Sequence, residues 1–223
     1  MHEPGVHIAL LRTEALRELP GDRLDELASS IPSTYRNRWF DAGLHVDRRF
    51  EALGTGLMLS SMLLDRPNMS FLLSPTGRPC LVDDSGSFCM ACSISHTDGV
   101  CALATTRDAR AIGVDVERVC HYDRVTARRV FDGNCIAWIE DVSGQEDVRF
   151  TCAWTQLEAV LKARGTGFAV DPREVDVFEG YAVDTQVWDG HVAISVGCVG
   201  DRKPLVELED VTDALLCAWK VAS

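Results

Sequence analysis

Two long helical patterns, each followed by strands, leave this chain few ways to fold. Between Arg48 and Leu64 apolar residues recur at the spacing of one helix face, and a similar pattern runs from Val148 to Arg164. The strand "GVCALATT" at 99–106 in the first half is matched by "HVAISVGCV" at 191–199 in the second. The sequence therefore predicts an α+β fold of two pseudo-symmetric α/β subdomains, residues 1–106 and 107–223, with a ligand cleft between them.

The formal net charge of −12 restricts the partners of the chain. It argues against nucleic acid, because nucleic-acid binding requires a basic surface. An anionic ligand would need local cations or a metal ion to bind here. No apolar run reaches the ~18 residues of a membrane-spanning helix, and the N-terminal segment lacks the basic start of a secretory signal. We therefore expect a soluble, monomeric, cytoplasmic protein with no membrane partner.

Nine cysteines, an odd number, are typical of reduced thiols rather than of a set of disulfides. Four of them lie in one segment, at Cys80, Cys89, Cys92 and Cys101, and "CMAC" at 89–92 has a spacing that can begin a zinc site. The same segment alternates like a strand, which favours thiols packed in the core. Core thiols are the preferred interpretation, with a zinc site as the alternative.

The segment "GVDVE" places two carboxylates on one face of a predicted strand. Alternate side chains of a strand point the same way, so Asp115 and Glu117 project together. Neighbouring carboxylates repel each other unless water or a cation lies between them, and a hard divalent ion such as Mg²⁺ suits them. The alternative is a strand with one solvated acidic face.

A third carboxylate and a cation share a face of the second long helix. Glu158 and Lys162 are four residues apart, which is one helical turn. They could form an ordinary surface ion pair worth about 0.3–0.5 kcal/mol. Alternatively, Glu158 completes a metal site with the two strand carboxylates, and Lys162 binds a phosphate beside it. Gly165, directly after the pattern, predicts a left-handed helix stop.

Ser95 and His96 lie at the end of another predicted strand. Adjacent strand residues point to opposite faces, so the two make a poor nucleophile and base couple. Binding of an anion by each is the functional interpretation, and a polar junction between strand and turn is the structural one.

Four motifs in chain order resemble the Sfp-type 4′-phosphopantetheinyl transferases. They are "GRP" at 77–79, "SISHT" at 93–97, "IGVDVERV" at 112–119 and "WTQLEAVLKARGTG" at 154–167. The family patterns are GKP, SHS, a GxDxE strand and WxxKEAxxKxxGxG, and the order and intervals fit over roughly residues 20–200. The last two motifs are specific when taken together.

The resemblance implies a Mg²⁺-dependent phosphopantetheinyl transferase with coenzyme A (CoA) in the cleft. Such an enzyme moves the 4′-phosphopantetheine arm of CoA to a serine of an acyl or peptidyl carrier protein and releases 3′,5′-ADP. These carriers serve fatty-acid, polyketide or nonribosomal-peptide biosynthesis. By position, the metal ligands would be Asp115, Glu117 and Glu158. The CoA contacts would be Lys162 and Ser95 at the pyrophosphate, His96 at the 3′-phosphate, and Gly77, Arg78 and Pro79 at the adenine. Glu158 and Lys162 would be catalytic, with Glu158 as the base that takes the proton of the serine hydroxyl.

Three positions depart from the family pattern. Leu157 stands where the family has lysine, Cys135 stands where an acid is usual, and Phe50 stands at an expected basic place before the first long helix. Loss of a cation near a reacting phosphoryl group can cost about 10²–10³ in rate, unless Leu157 only packs beside the site. The departures leave two alternatives. The chain could bind CoA or a carrier without transfer, or catalyse another reaction on a carrier-bound or CoA-linked substrate.

Overall fold

The computed structural model describes residues 3–64, 66, 68–73, 79–169, 171–173 and 178–218 and has a mixed α+β fold. The helices of the described residues are α1 Thr13–Arg17, α2 Gly21–Ser29, α3 Ser33–Phe40, α4 Val46–Leu64, α5 Arg124–Val130, α6 Gly133–Glu140, α7 Glu146–Arg164 and α8 Thr212–Ala218. The strands are β1 Gly5–Arg12, β2 Met69–Leu73, β3 Pro79–Asp83, β4 Phe88–Thr97, β5 Val100–Thr106, β6 Ile112–Arg118, β7 Tyr181–Trp188, β8 Val192–Val199 and β9 Leu205–Asp210.

These strands form two sheets of different size. The first has six strands in the order β2-β3-β4-β5-β1-β9, and the second has three in the order β6-β8-β7. β1 is antiparallel to β5 but parallel to β9, so the last strand returns to the first sheet. The predicted boundary between residues 106 and 107 falls between β5 and β6. The division into pseudo-symmetric subdomains stays a prediction.

Each long helix packs against one sheet. Leu53 and Leu57 of α4 lie in a cluster with Leu11, Cys101 and Leu103 of the six-stranded sheet. A separate cluster joins α7 to α5 and α6, and Tyr181 and Val183 of β7 pack against it. Its buried members include Ala127, Phe131, Ile136, Ile139, Phe150, Leu157, Val160 and Leu161. The apolar faces that the sequence showed are therefore the buried faces, and the two predicted long helices are confirmed.

A third cluster holds the two sheets together. It contains alternate residues of β1 and β5, among them Ile8, Leu10 and Ala102, and alternate residues of β6, among them Val114 and Val116. Because alternate strand residues face opposite ways, burying Val114 and Val116 between the sheets sets the direction of Asp115 and Glu117 as well. Val114 N also donates a hydrogen bond to Ser93 Oγ at 2.9 Å, which fixes β6 beside β4.

Several local predictions can be compared with the structure. The segment "DGNC" at 132–135 predicts Asp132 as a helix N-cap, and Asp132 caps α6 by accepting a hydrogen bond from Cys135 N. Cys92 and Cys101 lie in the core, where burial raises the pKa of each thiol to about 12. The segment "SPTGRP" at 74–79 predicts a turn and "EVDVFEGYAV" at 174–183 predicts a strand, and residues 74–78 and 174–177 lie outside the described residues. No helix in the described ranges is long and apolar enough to cross a bilayer.

Candidate active site

Close packing of α7 on β6 builds the centre of the site. A Cβ on Gly113 would lie 1.9 Å from Ala159 O and 2.5 Å from Ala163 N, so only glycine lets the helix backbone approach the strand this closely. Gly197 on the neighbouring β8 also faces α7, at Val160. Gly165 ends the helix at φ 72°, and its N–H donates to Leu161 O and Lys162 O, which confirms the predicted left-handed stop. The approach brings the last turns of α7 to the acidic face of β6.

Lys162 and Asp115 form the central contact of this face. Lys162 Nζ lies 2.6 Å from Asp115 Oδ1 and donates a second hydrogen bond to Ser95 Oγ at 2.9 Å. Ser95 Oγ donates in turn to the same Asp115 oxygen at 2.8 Å. Asp115 is only 1% exposed, so its charge depends on this partner. Burial raises the pKa of Asp115, while Lys162 and the Ser95 hydrogen bond oppose the rise.

Glu117 and Glu158 extend the acidic face. Thr97 Oγ1 donates to Glu117 Oε2 at 2.9 Å, one step along the strands from the Ser95–Asp115 contact. Glu158 Oε2 lies 3.9 Å from Lys162 Nζ, which is looser than the contact of Lys162 with Asp115. Burial first, then repulsion from Asp115 and Glu117, raises the pKa of Glu158 to about 6, against the opposing effect of Lys162. The sequence interpretation of Glu158 and Lys162 as a simple surface pair is therefore insufficient, because both also interact with β6.

The acidic face has the donor chemistry of a hard cation site. Three carboxylates border one cavity, and Asp115 Oδ2 is buried without a hydrogen-bond partner among the described residues. Within the same residues, no group of three or more His, Cys, Asp or Glu side chains is already arranged as a metal centre. Carboxylate oxygens are the ligands that Mg²⁺ prefers. The residues fit Mg²⁺ by their chemistry and by the free Oδ2 of Asp115.

A cavity of about 340 Å³ joins the acidic face to the opposite wall formed by α3 and α4. It is lined by the six predicted site residues that lie on β4, β6 and α7: Ser95, His96, Asp115, Glu117, Glu158 and Lys162. The opposite wall contributes polar residues that include Tyr35, Arg38, Glu51 and Thr55. The cavity thus brings together residues from five elements, α3, α4, β4, β6 and α7.

The opposite wall carries its own charged group. Glu51 Oε2 lies 2.8 Å from Arg48 Nη1 and 3.3 Å from His96 Nδ1. Burial lowers the pKa of His96, and Arg48, Arg38 and Lys162 lower it further, whereas Glu51 opposes the shift. His96 is therefore biased toward its neutral form.

The structure also places the remaining sequence candidates. Pro79 begins β3 and is not among the residues that line the cavity, and Arg78 lies outside the described residues. Leu157 is 1% exposed and packs in the α5–α6–α7 cluster, away from the cavity. The leucine at this position is therefore a core residue here.

No sequence motif pointed to Glu51, Tyr35 or Thr55 as residues of the site. A usable signal was present, because Glu51 and Thr55 are one turn apart on a helix whose residues 50–59 are otherwise apolar or glycine. A polar pair at that spacing inside a buried stretch indicates a polar cavity rather than a solvated face.

One family comparison bears on this site. Residues 111–188 match the model of the 4′-phosphopantetheinyl transferase superfamily. The matched segment includes Asp115, Glu117, Glu158 and Lys162, whereas Ser95, His96 and Glu51 precede it. No curated protein matches the chain. The match supports a phosphopantetheine transferase of unspecified subtype.

Proposed function

We propose that this protein is an Sfp-type enzyme that transfers the 4′-phosphopantetheine arm of CoA to a serine of an acyl or peptidyl carrier protein and releases 3′,5′-ADP. One observation carries the proposal: Lys162, Ser95 and Asp115 meet within hydrogen-bond distance in a cavity that Glu117 and Glu158 also line. Four of these five residues lie in the segment that matches the superfamily.

Lys162 and Ser95 would hold the pyrophosphate of CoA. The bond that breaks is a phosphoanhydride, so catalysis depends on positioning and on stabilising charge as it develops on the leaving phosphate. Lys162 Nζ and Ser95 Oγ already lie side by side at 2.9 Å. The ammonium would donate to a phosphate oxygen, and the Ser95 hydroxyl would do so by turning away from Asp115. Asp115 fixes the ammonium in the cavity through its 2.6 Å contact.

Mg²⁺ would be held by Asp115, Glu117 and Glu158, where it would neutralise charge on the phosphates. The three carboxylates would otherwise repel a polyanionic ligand. The charge of −12 on the whole chain makes this local neutralisation more important.

Glu158 would accept the proton of the carrier serine. In the protein without a metal ion, burial and repulsion from Asp115 and Glu117 raise its pKa to about 6, above that of an ordinary glutamate. A general base is most effective when its pKa approaches the working pH. Glu158 is also the carboxylate of the three that lies on the helix, away from the Ser95 and Thr97 hydroxyls that engage the strand carboxylates.

The carrier protein would dock beside α5. This helix exposes Val125, Arg128 and Arg129 on a chain that is acidic overall. The two arginines would attract an acidic carrier, and Val125 would contact an apolar residue on it. Reversing the charge of Arg128 and Arg129 together is expected to raise the KM for the carrier and to leave CoA affinity unchanged. Unchanged carrier kinetics would exclude this surface.

Intact-mass measurement of apo carrier proteins tests the proposed transfer. Carriers of the fatty-acid, polyketide and nonribosomal-peptide types are incubated with CoA and Mg²⁺, and at least one is expected to gain the phosphopantetheine mass. Lys162→Ala should abolish the gain. Lys203→Ala is the matched control, because Lys203 is an exposed lysine paired with Asp184 outside the cavity. Binding of CoA with no mass gain on any carrier would favour a binding protein without transfer.

A further inference from the structure

Glu51 is an unusual residue for the buried face of α4. Residues Phe50–Leu59 are buried, and Glu51 is only 5% exposed. Burying a carboxylate carries a desolvation cost that an ion pair seldom more than offsets, so stability alone gives little reason for a glutamate here. Its position on the cavity wall suggests a role in ligand binding instead.

One oxygen of Glu51 joins two nitrogen groups from different elements. Oε2 accepts from Arg48 Nη1 on the same helix and lies 3.3 Å from Nδ1 of His96 at the end of β4. Arg48 Nη1 and His96 Nδ1 are themselves 3.4 Å apart. The carboxylate therefore fixes the orientation of the imidazole ring and of the guanidinium together.

The free nitrogen of Arg48 is a donor suited to an anion, and that of His96 becomes one when Nε2 carries a proton, which a bound anion would favour. His96 Nε2 and Arg48 Nη2 make no hydrogen bond to any residue that the structure describes, and the Arg48 side chain is 55% exposed. Arg38 lines the cavity near them, and its charge acts on His96. Guanidinium groups bind phosphate oxygens well because several N–H donors lie in one plane. Glu51 cannot bind an anion itself, so any contribution must pass through its neighbours.

We infer that Glu51 is a positioning residue that orients His96 and Arg48 toward a phosphate monoester of the ligand, separately from the group held by Lys162. This inference rests on the proposed function, because CoA carries a phosphate monoester on its ribose in addition to its pyrophosphate. It adds a role for a carboxylate that the superfamily match at 111–188 does not reach.

Calorimetric titration with CoA and with 3′-dephospho-CoA, both with Mg²⁺, tests the inference. The wild type is expected to bind CoA more tightly than the dephosphorylated ligand. Glu51→Gln keeps the size of the side chain and removes its charge, and it should weaken CoA binding by about 10- to 100-fold. Its affinity for 3′-dephospho-CoA should change by less than about threefold, which a general loss of packing could not produce.

Two further variants keep the result interpretable. Arg48→Gln alters an exposed side chain and should show the same ligand-dependent loss even if Glu51→Gln folds poorly. Glu14→Gln is the matched control, since Glu14 is an exposed glutamate paired with Arg118 outside the cavity. Suppose that the wild type binds CoA. If Glu51→Gln then weakens the binding of both ligands equally, weakens neither, or tightens CoA binding, the inference is overturned but the proposed function is not. Failure of the wild type to bind either ligand would overturn the proposed function and this inference with it.

Discussion

The two long helices have the same length but present opposite chemistry to the cavity. Both α4 and α7 contain nineteen residues, and each places one glutamate on the wall. Glu51 of α4 is surrounded by Arg48 and His96, whereas Glu158 of α7 faces two further carboxylates and a single lysine. One wall therefore favours an anionic group, and the other favours a cation or a metal-bound group.

This difference shows how an acidic protein can bind a polyanion. The wall formed by α3 and α4 supplies positive charge directly, while the wall formed by α7 and β6 attracts an anion only once its carboxylates are neutralised. A ligand with two separate phosphate groups matches such a cavity better than a ligand with one.

Removing the cation of the α7 wall should have the largest effect on transfer. Lys162→Met is expected to reduce kcat for carrier modification by about 10²–10³, because a preorganised charge near the pyrophosphate is lost. The same variant leaves Asp115 buried without its ammonium and should lower stability. Adding Asp115→Asn should restore stability but not the rate. Recovery of both in the double variant would contradict the role of Lys162 in binding phosphate.

A substitution at the close backbone contact between β6 and α7 should have the next largest effect, on the stability of the protein. Gly113→Ala places a methyl group 1.9 Å from Ala159 O, so the helix must move, and we expect a loss of more than about 3 kcal/mol in the free energy of unfolding. Gly54→Ala in α4 is the comparison, because the added carbon there meets the side chains of Leu11 and Cys101 at 3.0 and 3.2 Å. Side chains can shift, so a loss near 1 kcal/mol is expected. Equal losses in urea unfolding would mean that both helices tolerate the same displacement.

Substitutions of Leu157 test whether the leucine, which stands where the family has lysine, serves only to pack the core. Leu157→Lys would place an ammonium among Phe131, Ile136 and Val160, so we expect about 3 kcal/mol of destabilisation and no gain in transfer. Leu157→Met conserves volume and should cost less than about 1.5 kcal/mol. A stable Leu157→Lys variant with faster carrier modification would show instead that this position belongs to the reaction.

The ionisation of Glu158 should give a smaller, pH-dependent effect. Its folded-state pKa of about 6 is above that of an unfolded chain, so its contribution to stability is complete below the unfolded pKa and is lost as pH rises through about 6. The loss amounts to about 2 kcal/mol in the absence of metal. Urea midpoints measured across this window should fall for the wild type and fall less steeply for Glu158→Gln, in which Asp115 and Glu117 still titrate. Parallel profiles would contradict the acidic crowding of the α7 wall.

Local periodicity accounts for what the sequence could predict of the fold and site. Alternation in β6 correctly put Asp115 and Glu117 on one face, and helical spacing correctly put Glu158 beside Lys162. The contact of Ser95 with Asp115 depends on the packing of β4 against β6, which no local pattern specifies. The family resemblance put Ser95 with Lys162 at the pyrophosphate and Asp115 at the metal, and it did not predict the hydrogen bond between Ser95 and Asp115.

Two features of the structure could not be predicted from the sequence, and the physical reason is the same for both. Glu51 resembles an ordinary charged residue of a helix surface until its neighbours in β4 and α3 are known. β9 alternates apolar and charged residues and is parallel to β1, and each paired residue lies 200 positions from its partner, as Gly5 does from Leu205. Both depend on long-range contacts, which composition and periodicity do not encode.

The parallel pairing of β9 with β1 has a consequence for biosynthesis. Gly5 aligns with Leu205 and Leu10 with Asp210, so β1 lacks one neighbour until residue 210 has left the ribosome. During most of translation this edge presents unpaired N–H and C=O groups, which are a template for wrong pairing. Folding of the first sheet is therefore completed after synthesis of the second, and shortening the chain before β9 would leave that template permanently open.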